Sequence, residues 1–288
     1  MFEGVHTAIV TPFRSGRIDY GAFAELVEWQ VRAGVDGIVP CGTTGESATL
    51  TEQEHREVID FVVKQADGRV KVIAGTGSNC TRTAVDLTVH AEKAGADGAL
   101  LICPYYNKPP PDGLLAHYME VANASSLALL LYNVPSRTAL NVPVEVVEKL
   151  ARHENIAGIK EASGDLNQVS RLAAIPNFTV LSGDDSLTLP VLSVGGKGVI
   201  SVASNVVPDR VKALVDSFLN GSPEGALRVH RELLALFSAL FVETNPIPVK
   251  TALAAMGKVK EEFRLPLVGM KEANRAKLTD ALSGLGIV

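Results

Sequence analysis

Lys160 closes the apolar run Ile156-Ala157-Gly158-Ile159-Lys160, so a long cation stands at the end of a segment with the character of a buried strand. Desolvation favours a neutral amine over the ammonium form, and a neutral amine near pH 7 attacks a carbonyl carbon. The plainer alternative is a packed stem whose charged head reaches water. The apolar run before it ends in Leu131-Tyr132-Asn133-Val134-Pro135-Ser136-Arg137-Thr138. Tyr132 offers a phenol for proton transfer, or simply a packed ring with a satisfied hydroxyl. Arg137 offers a planar fork of donors matched to a carboxylate, or a surface ion pair. Gly42-Thr43-Thr44-Gly45-Glu46-Ser47 leaves backbone N–H groups and two hydroxyls open to an anion, or makes a plain tight turn. Asp184 and Asp185 read as caps of the next helix, and Glu161 as either a partner of its neighbours or a solvated acid. An amine nucleophile, a phenol and two carboxylate-binding features together suit Schiff-base chemistry on a 2-oxo acid. The lysine attacks the ketone of pyruvate, the phenol shuttles protons, and the enamine that results attacks an aldehyde. Such chemistry needs no metal and no organic cofactor.

These residues need a scaffold that gathers strand ends. Eight short apolar runs recur along the chain: Val5–Val10, Asp36–Pro40, Val70–Ala74, Asp97–Ile102, Leu127–Asn133, Ile156–Lys160, Thr179–Ser182 and Gly198–Val202. Most lack in-out alternation, which suits parallel strands buried on both faces. Amphipathic stretches lie between them, at Tyr20–Ala33, Thr51–Ala66 (with Thr51 and Glu54 as a capping box), Thr81–Ala94 and Pro143–Arg152. Ala33-Gly34-Val35-Asp36-Gly37-Ile38 and Ala94-Gly95-Ala96-Asp97-Gly98-Ala99 repeat one turn chemistry, a glycine after a helix and then a strand. Eight such units predict an α/β fold, a (β/α)8 TIM barrel, whose catalytic groups come from the C-terminal ends of the strands. Lys160, Tyr132, Arg137 and the Thr43-Thr44 turn all fall at such ends. A doubly wound sheet is the competing reading. It lacks its fingerprint, because Gly75-Thr76-Gly77-Ser78-Asn79-Cys80 has no third glycine and Gly195-Gly196-Lys197-Gly198 precedes a strand.

After the eighth run the chain continues with helical patterns at Pro208–Leu219, Gly225–Phe241, Ile247–Met256 and Lys271–Ser283. One of these closes the barrel. The expected organisation is therefore a catalytic barrel over residues 1–224 and a helical extension over 225–288, packed on the barrel because no Pro/Gly/Ser-rich linker separates them.

Composition narrows the remaining choices. The 288 residues are 47% hydrophobic and 20% charged, with a net charge of -5 and no basic block, so nucleic acid is not an expected partner. No two of the six histidines share an i, i+4 spacing and no cysteines stand in a CxxC pair, which argues against a zinc site. Three sparse cysteines suggest reduced thiols and a cytoplasmic location. Met1-Phe2-Glu3-Gly4 has no features of a signal peptide. The longest apolar stretch, Leu233–Val242, is too short to span a bilayer and reads as a packed core helix, so no membrane association is expected.

The strand-end motifs resemble the dihydrodipicolinate synthase / N-acetylneuraminate lyase family of class I aldolase-type barrels. The resemblance runs over nearly the whole chain: GTTGESATL at Gly42–Leu50, YYN at Tyr105–Asn107, LYNVPSRT at Leu131–Thr138, GIKEA at Gly158–Ala162, SGDD at Ser182–Asp185, GVISVASN at Gly198–Asn205 and ETNPIPVK at Glu243–Lys250. The double threonine and the arginine of VPSRT resemble the synthase branch, since sialic acid lyases typically carry Ser-Thr and lack that arginine. The resemblance implies an imine of pyruvate on Lys160, Tyr132 as acid/base, and Thr43 and Tyr106 in a proton relay with Tyr132. Tyr106 typically reaches in from a neighbouring subunit. It further implies Thr44 on the pyruvate carboxylate, the backbone of Ile200 at the imine site, and Arg137 on the carboxylate of aspartate semialdehyde. The implied product is hydroxytetrahydrodipicolinate on the route to lysine and diaminopimelate, made by a homotetramer built as a dimer of dimers. Another pyruvate-imine aldolase, for a 2-keto-3-deoxy sugar acid or N-acetylneuraminate, and a non-catalytic barrel are the alternatives. Feedback-inhibited members bind lysine through positions that map onto Ser47, Ala48, Glu52, His55, Asn79, Thr83 and Tyr105. Thr83 stands where a glutamate usually grips the lysine amine, and Glu52 where a histidine is common, so weak or absent inhibition is expected.

Overall fold

The computed structural model describes residues 2–288. Eight parallel strands close into a barrel: β1 Gly4–Ala8, β2 Gly37–Val39, β3 Lys71–Gly75, β4 Gly98–Ile102, β5 Ala128–Asn133, β6 Ile156–Glu161, β7 Thr179–Ser182 and β8 Gly198–Ser201. Neighbours in sequence are neighbours in the barrel, and β1 pairs with both β2 and β8. A helix follows each strand: α1 Tyr20–Arg32, α2 Glu52–Ala66, α3 Thr81–Ala94, α4 Pro111–Ala124, α5 Val144–Leu150, α6 Leu166–Ala173, α7 Thr188–Ser193 and α8 Pro208–Leu219. The barrel expected from the alternation of runs is the fold observed. A small antiparallel hairpin, Phe13–Arg14 with Arg17–Ile18, lies between β1 and α1. Its strands are two residues each, too short to register as an apolar run.

Local chemistry explains the repeated turn. Gly34 and Gly95 adopt φ of 77° and 89°, the left-handed region in which glycine ends a helix without a Cβ penalty. The aspartate that follows ties the next strand to its neighbour: Val5 N donates to Asp36 Oδ2 at 2.7 Å, and Val72 N to Asp97 Oδ2 at 2.8 Å. The second glycine makes room inside the barrel. A Cβ on Gly37 would stand 2.3 Å from His6 Nδ1, and one on Gly98 would stand 2.6 Å from Phe2 Cζ. His6 and Phe2, packed edge to face, thus fill the N-terminal end of the barrel. At α2 the capping box forms as the sequence predicts, with Glu54 N donating to Thr51 Oγ1 at 3.2 Å and Thr51 N to Glu54 Oε2 at 2.9 Å.

The strands are buried on both faces, which is why their sequences do not alternate. Ala8, Val39, Ile73, Leu100, Leu130 and Leu181 fill the interior, with Ile200 and Tyr132 among them. A larger apolar layer joins the outer strand faces to the helices. Beyond α8 the chain adds α9 Pro223–Ala239, α10 Ile247–Ala255 and α11 Glu272–Gly284, with α9 packed on α8 and α11 and α10 on α11. Leu233, Leu236, Phe237 and Leu240 are buried, as a core helix requires, but the helix stops at Ala239 and Phe241 is exposed. Among the described residues no helix is long and apolar enough to cross a membrane.

Candidate active site

The parallel register of β5 and β6 sets Tyr132 beside Lys160, and Asn133 beside Glu161. Lys160 and Tyr132 face the interior and are 6% and 7% exposed, with Lys160 Nζ 4.1 Å from the centroid of the Tyr132 ring. Lys160 takes part in none of the ion pairs formed among the described residues. Its stem runs past Gly183, where a Cβ would stand 3.2 Å from Lys160 Cε and 2.7 Å from the Cβ of Ala162. Lys160 opens onto a cavity of about 180 Å3 that Thr43, Thr44, Tyr132, Arg137, Gly183 and Asn245 help to line. A buried side-chain amine next to a phenol, on a cavity shared with two threonine hydroxyls, is an arrangement that can form an imine and move its protons.

The acids around the cavity serve structure, Asp184 from its lining and Glu161 and Asp185 from behind it. Glu161 is buried and accepts from Ser163 N at 2.7 Å, Asn133 Nδ2 at 3.0 Å and Gln168 Nε2 at 3.1 Å. It is therefore a partner of its neighbours, holding β5, β6 and α6 together. Asp184 caps the single turn that follows, accepting from Ser186 N at 2.8 Å. Asp185 corrects the sequence reading, because it is not a cap. Its buried carboxyl accepts from Ser201 Oγ at 2.5 Å, Ala203 N at 2.9 Å and Val202 N at 3.0 Å, which joins the end of β7 to the end of β8. Burial pushes its pKa up, and those three donors pull the other way. Ile200 packs in the interior cluster with Tyr132 and does not itself line the cavity, whereas Val202 does.

The threonine turn is held from the far end of the chain. Asn245 Nδ2 donates to Thr44 Oγ1 at 3.0 Å, and Arg137 Nη2 donates to the Asn245 carbonyl at 3.2 Å. Glu46, with φ of 53°, pairs with Lys250 Nζ at 2.5 Å, and both side chains are 0% exposed. The Lys250 ammonium also sits 4.3 Å from the Phe13 ring centroid and 5.1 Å from that of Phe263. Burial lowers its pKa while Glu46 opposes the shift. Sequence reasoning missed Asn245, Glu46 and Lys250. The available signal was the unassigned charges of two motifs otherwise rich in apolar and small residues, Glu46 in one and Glu243 and Lys250 in the other.

A second cavity, of about 550 Å3, shares Thr43, Tyr132, Arg137 and Asn245 with the first. It reaches outward to Ser47, Ala48, Glu52, His55, Thr83 and Tyr105. These are six of the seven positions mapped from lysine-inhibited proteins, and Asn79 is not among its lining. The structure thus brings Lys160, Tyr132, Thr43, Thr44 and Arg137 together. It does not bring Tyr106, which is 92% exposed with φ of 71° and lines neither cavity. Among the described residues no cluster of three or more His, Cys, Asp or Glu could hold a metal ion.

Comparison with known proteins agrees with this geometry. The model of the dihydrodipicolinate synthetase family matches residues 1–285. The 4-hydroxy-tetrahydrodipicolinate synthase of Thermodesulfovibrio yellowstonii is 52% identical over 290 residues, covering 100% of both chains. That of Citrifermentans bemidjiense is 54% identical over 281 residues, 97% of each chain. The solved structure of the 4-hydroxy-tetrahydrodipicolinate synthase from the thermoacidophilic methanotroph Methylacidiphilum fumariolicum SolV superposes with a TM-score of 0.98 at 48% identity, covering 99% of this chain and 96% of that one. By sequence over its length, by fold and by the residues its strand ends bring together, this chain belongs to the dihydrodipicolinate synthetase family.

Proposed function

We infer that the chain is a carbon–carbon bond-forming lyase that condenses pyruvate with L-aspartate 4-semialdehyde to 4-hydroxy-tetrahydrodipicolinate, in lysine and diaminopimelate biosynthesis. The observation that carries the reading is the Lys160 amine, buried 4.1 Å from the Tyr132 ring in a cavity lined by Thr43, Thr44 and Arg137. Lys160 attacks the pyruvate ketone and water leaves, giving an imine. Loss of a methyl proton makes the enamine, whose carbon attacks the aldehyde. The amine of the second substrate then attacks the imine carbon, closes the ring and frees Lys160. One water is lost overall and no redox change occurs. Tyr132 passes the protons, with Thr43 beside it and Tyr106 completing the relay. Thr44 receives the pyruvate carboxylate, the backbone at Ile200 borders the imine, and Arg137 receives the carboxylate of the semialdehyde.

Tyr106 would serve a neighbouring subunit, so the working form is a homo-oligomer, a tetramer arranged as a dimer of dimers. An exposed tyrosine in a left-handed turn at the chain surface supports that assignment. Cys41, Cys80 and Cys103 are free thiols, in keeping with a reducing cytoplasm. The decisive test is reduction with borohydride in the presence of pyruvate, followed by peptide mass mapping. The expected result is one adduct, on Lys160. No adduct, or an adduct on another lysine, rejects the mechanism.

A further inference from the structure

We propose that Asn245 and Lys250 are positioning residues for this reaction, fixing the turn that receives the pyruvate carboxylate. The inference rests on the reading of Thr44 as the carboxylate donor. A threonine hydroxyl has one proton and two lone pairs. Asn245 Nδ2 donates into Thr44 Oγ1, so the hydroxyl's own proton remains for an anion in the lysine cavity. Two residues farther along the same turn, Glu46 holds a left-handed φ of 53°, a conformation that costs a non-glycine residue and needs support. That support comes from Lys250 at 2.5 Å and from the backbone of Arg264, whose N donates to Glu46 Oε2 at 3.3 Å. Asn245 stands two residues before the start of α10 and Lys250 is its fourth residue, so one helix start delivers both contacts. Folding alone does not generally require such an ion pair, because replacing buried pairs with well-packed apolar side chains is often neutral or stabilising. A direction-specific pair does what apolar packing does not: it sets where the turn points.

Two variants test this. Asn245→Ala removes the donor to Thr44 and leaves the ion pair in place. The double variant Glu46→Leu/Lys250→Met replaces the pair with apolar groups and avoids the unpaired buried charge that a single change would leave. Both are measured for melting temperature and for the pyruvate concentration that half-saturates borohydride trapping on Lys160. Each should fold, trap the same amount of pyruvate at saturation, and need about tenfold more pyruvate to reach half-saturation, the effect of one weakened hydrogen bond to an ion. If both fold and half-saturate at the wild-type concentration, the residues are structural only and the proposal is overturned. A fall in melting temperature with unchanged half-saturation has the same meaning. The wild-type control separates the two levels of the argument, since a wild type that is not trapped at Lys160 removes the reading of the site and this proposal with it.

Discussion

Arg137 spends one hydrogen bond on the Asn245 carbonyl and otherwise stands exposed between the two cavities. Arg137→Ala should therefore raise the KM for the semialdehyde about ten- to a hundredfold, the loss of a charge-assisted contact, and leave pyruvate trapping on Lys160 unchanged. Steady-state kinetics with each substrate varied separately decides this, and an equal effect on both substrates would contradict the assignment. Thr83 and Glu52 make a second expectation. Losing a carboxylate partner for an ammonium group costs about 1.5–3 kcal/mol, so half-maximal inhibition by lysine should lie above roughly 1 mM; a submillimolar inhibition curve would refute it. That Lys160, Tyr132, Thr43, Thr44 and Arg137 meet around one cavity was legible in the sequence, because each sits at the end of an apolar run or in the loop after it, and a barrel gathers such ends. Asn245, Glu46 and Lys250 were not, because their partners stand 201 and 204 residues away and no local pattern marks the pairing. Asp185 failed for the same reason. An aspartate just before a helix reads as a cap, yet its donors lie 16 to 18 residues on.

Strand ends do their work only if the strand beneath them is correctly filled. Gly183 follows β7 and lies against the Lys160 stem. Gly183→Ala should force that stem or Ala162 to move and lower the trapping rate at saturating pyruvate, with only a modest change in melting temperature. At the opposite end of the barrel, His6 on β1 is wholly buried, close to Asp36 and Lys71. Burial lowers its pKa to about 4, while Asp36 and the backbone of Glu3 and Phe2 pull the other way. The folded pKa lies below the ordinary histidine value, so the neutral ring's contribution is complete above about pH 6.5 and is lost as pH falls towards 4. Integrated over that window the loss is about 3 kcal/mol. Urea titrations between pH 7 and 4 should show it in the wild type, and His6→Met should flatten that slope. All eight strands were legible in the sequence as apolar runs, because burial on both faces leaves an unbroken signal. The hairpin at Phe13–Ile18 was not, because pairs of residues carry no periodicity.

For the molecule as a whole, the proposed relay makes a lone chain incomplete, because Tyr106 is exposed and away from the cavity it would serve. Sedimentation across a dilution series should show activity falling as the oligomer dissociates. Mixing Tyr106→Phe with Lys160→Ala, both inactive alone, should restore activity in mixed dimers, and mixtures that stay silent would place Tyr106 outside the reaction. The Glu46–Lys250 pair carries another consequence, one of timing. A ribosome makes residue 46 long before residue 250, and until α10 emerges the acid has no cation to meet in the interior. The barrel strands are all synthesised by then, but the Thr43–Ser47 turn still lacks its ion pair. If that pair sets the turn as proposed, a nascent barrel presents Lys160 before its anion-binding turn is set, and the site is complete only when the chain is nearly finished.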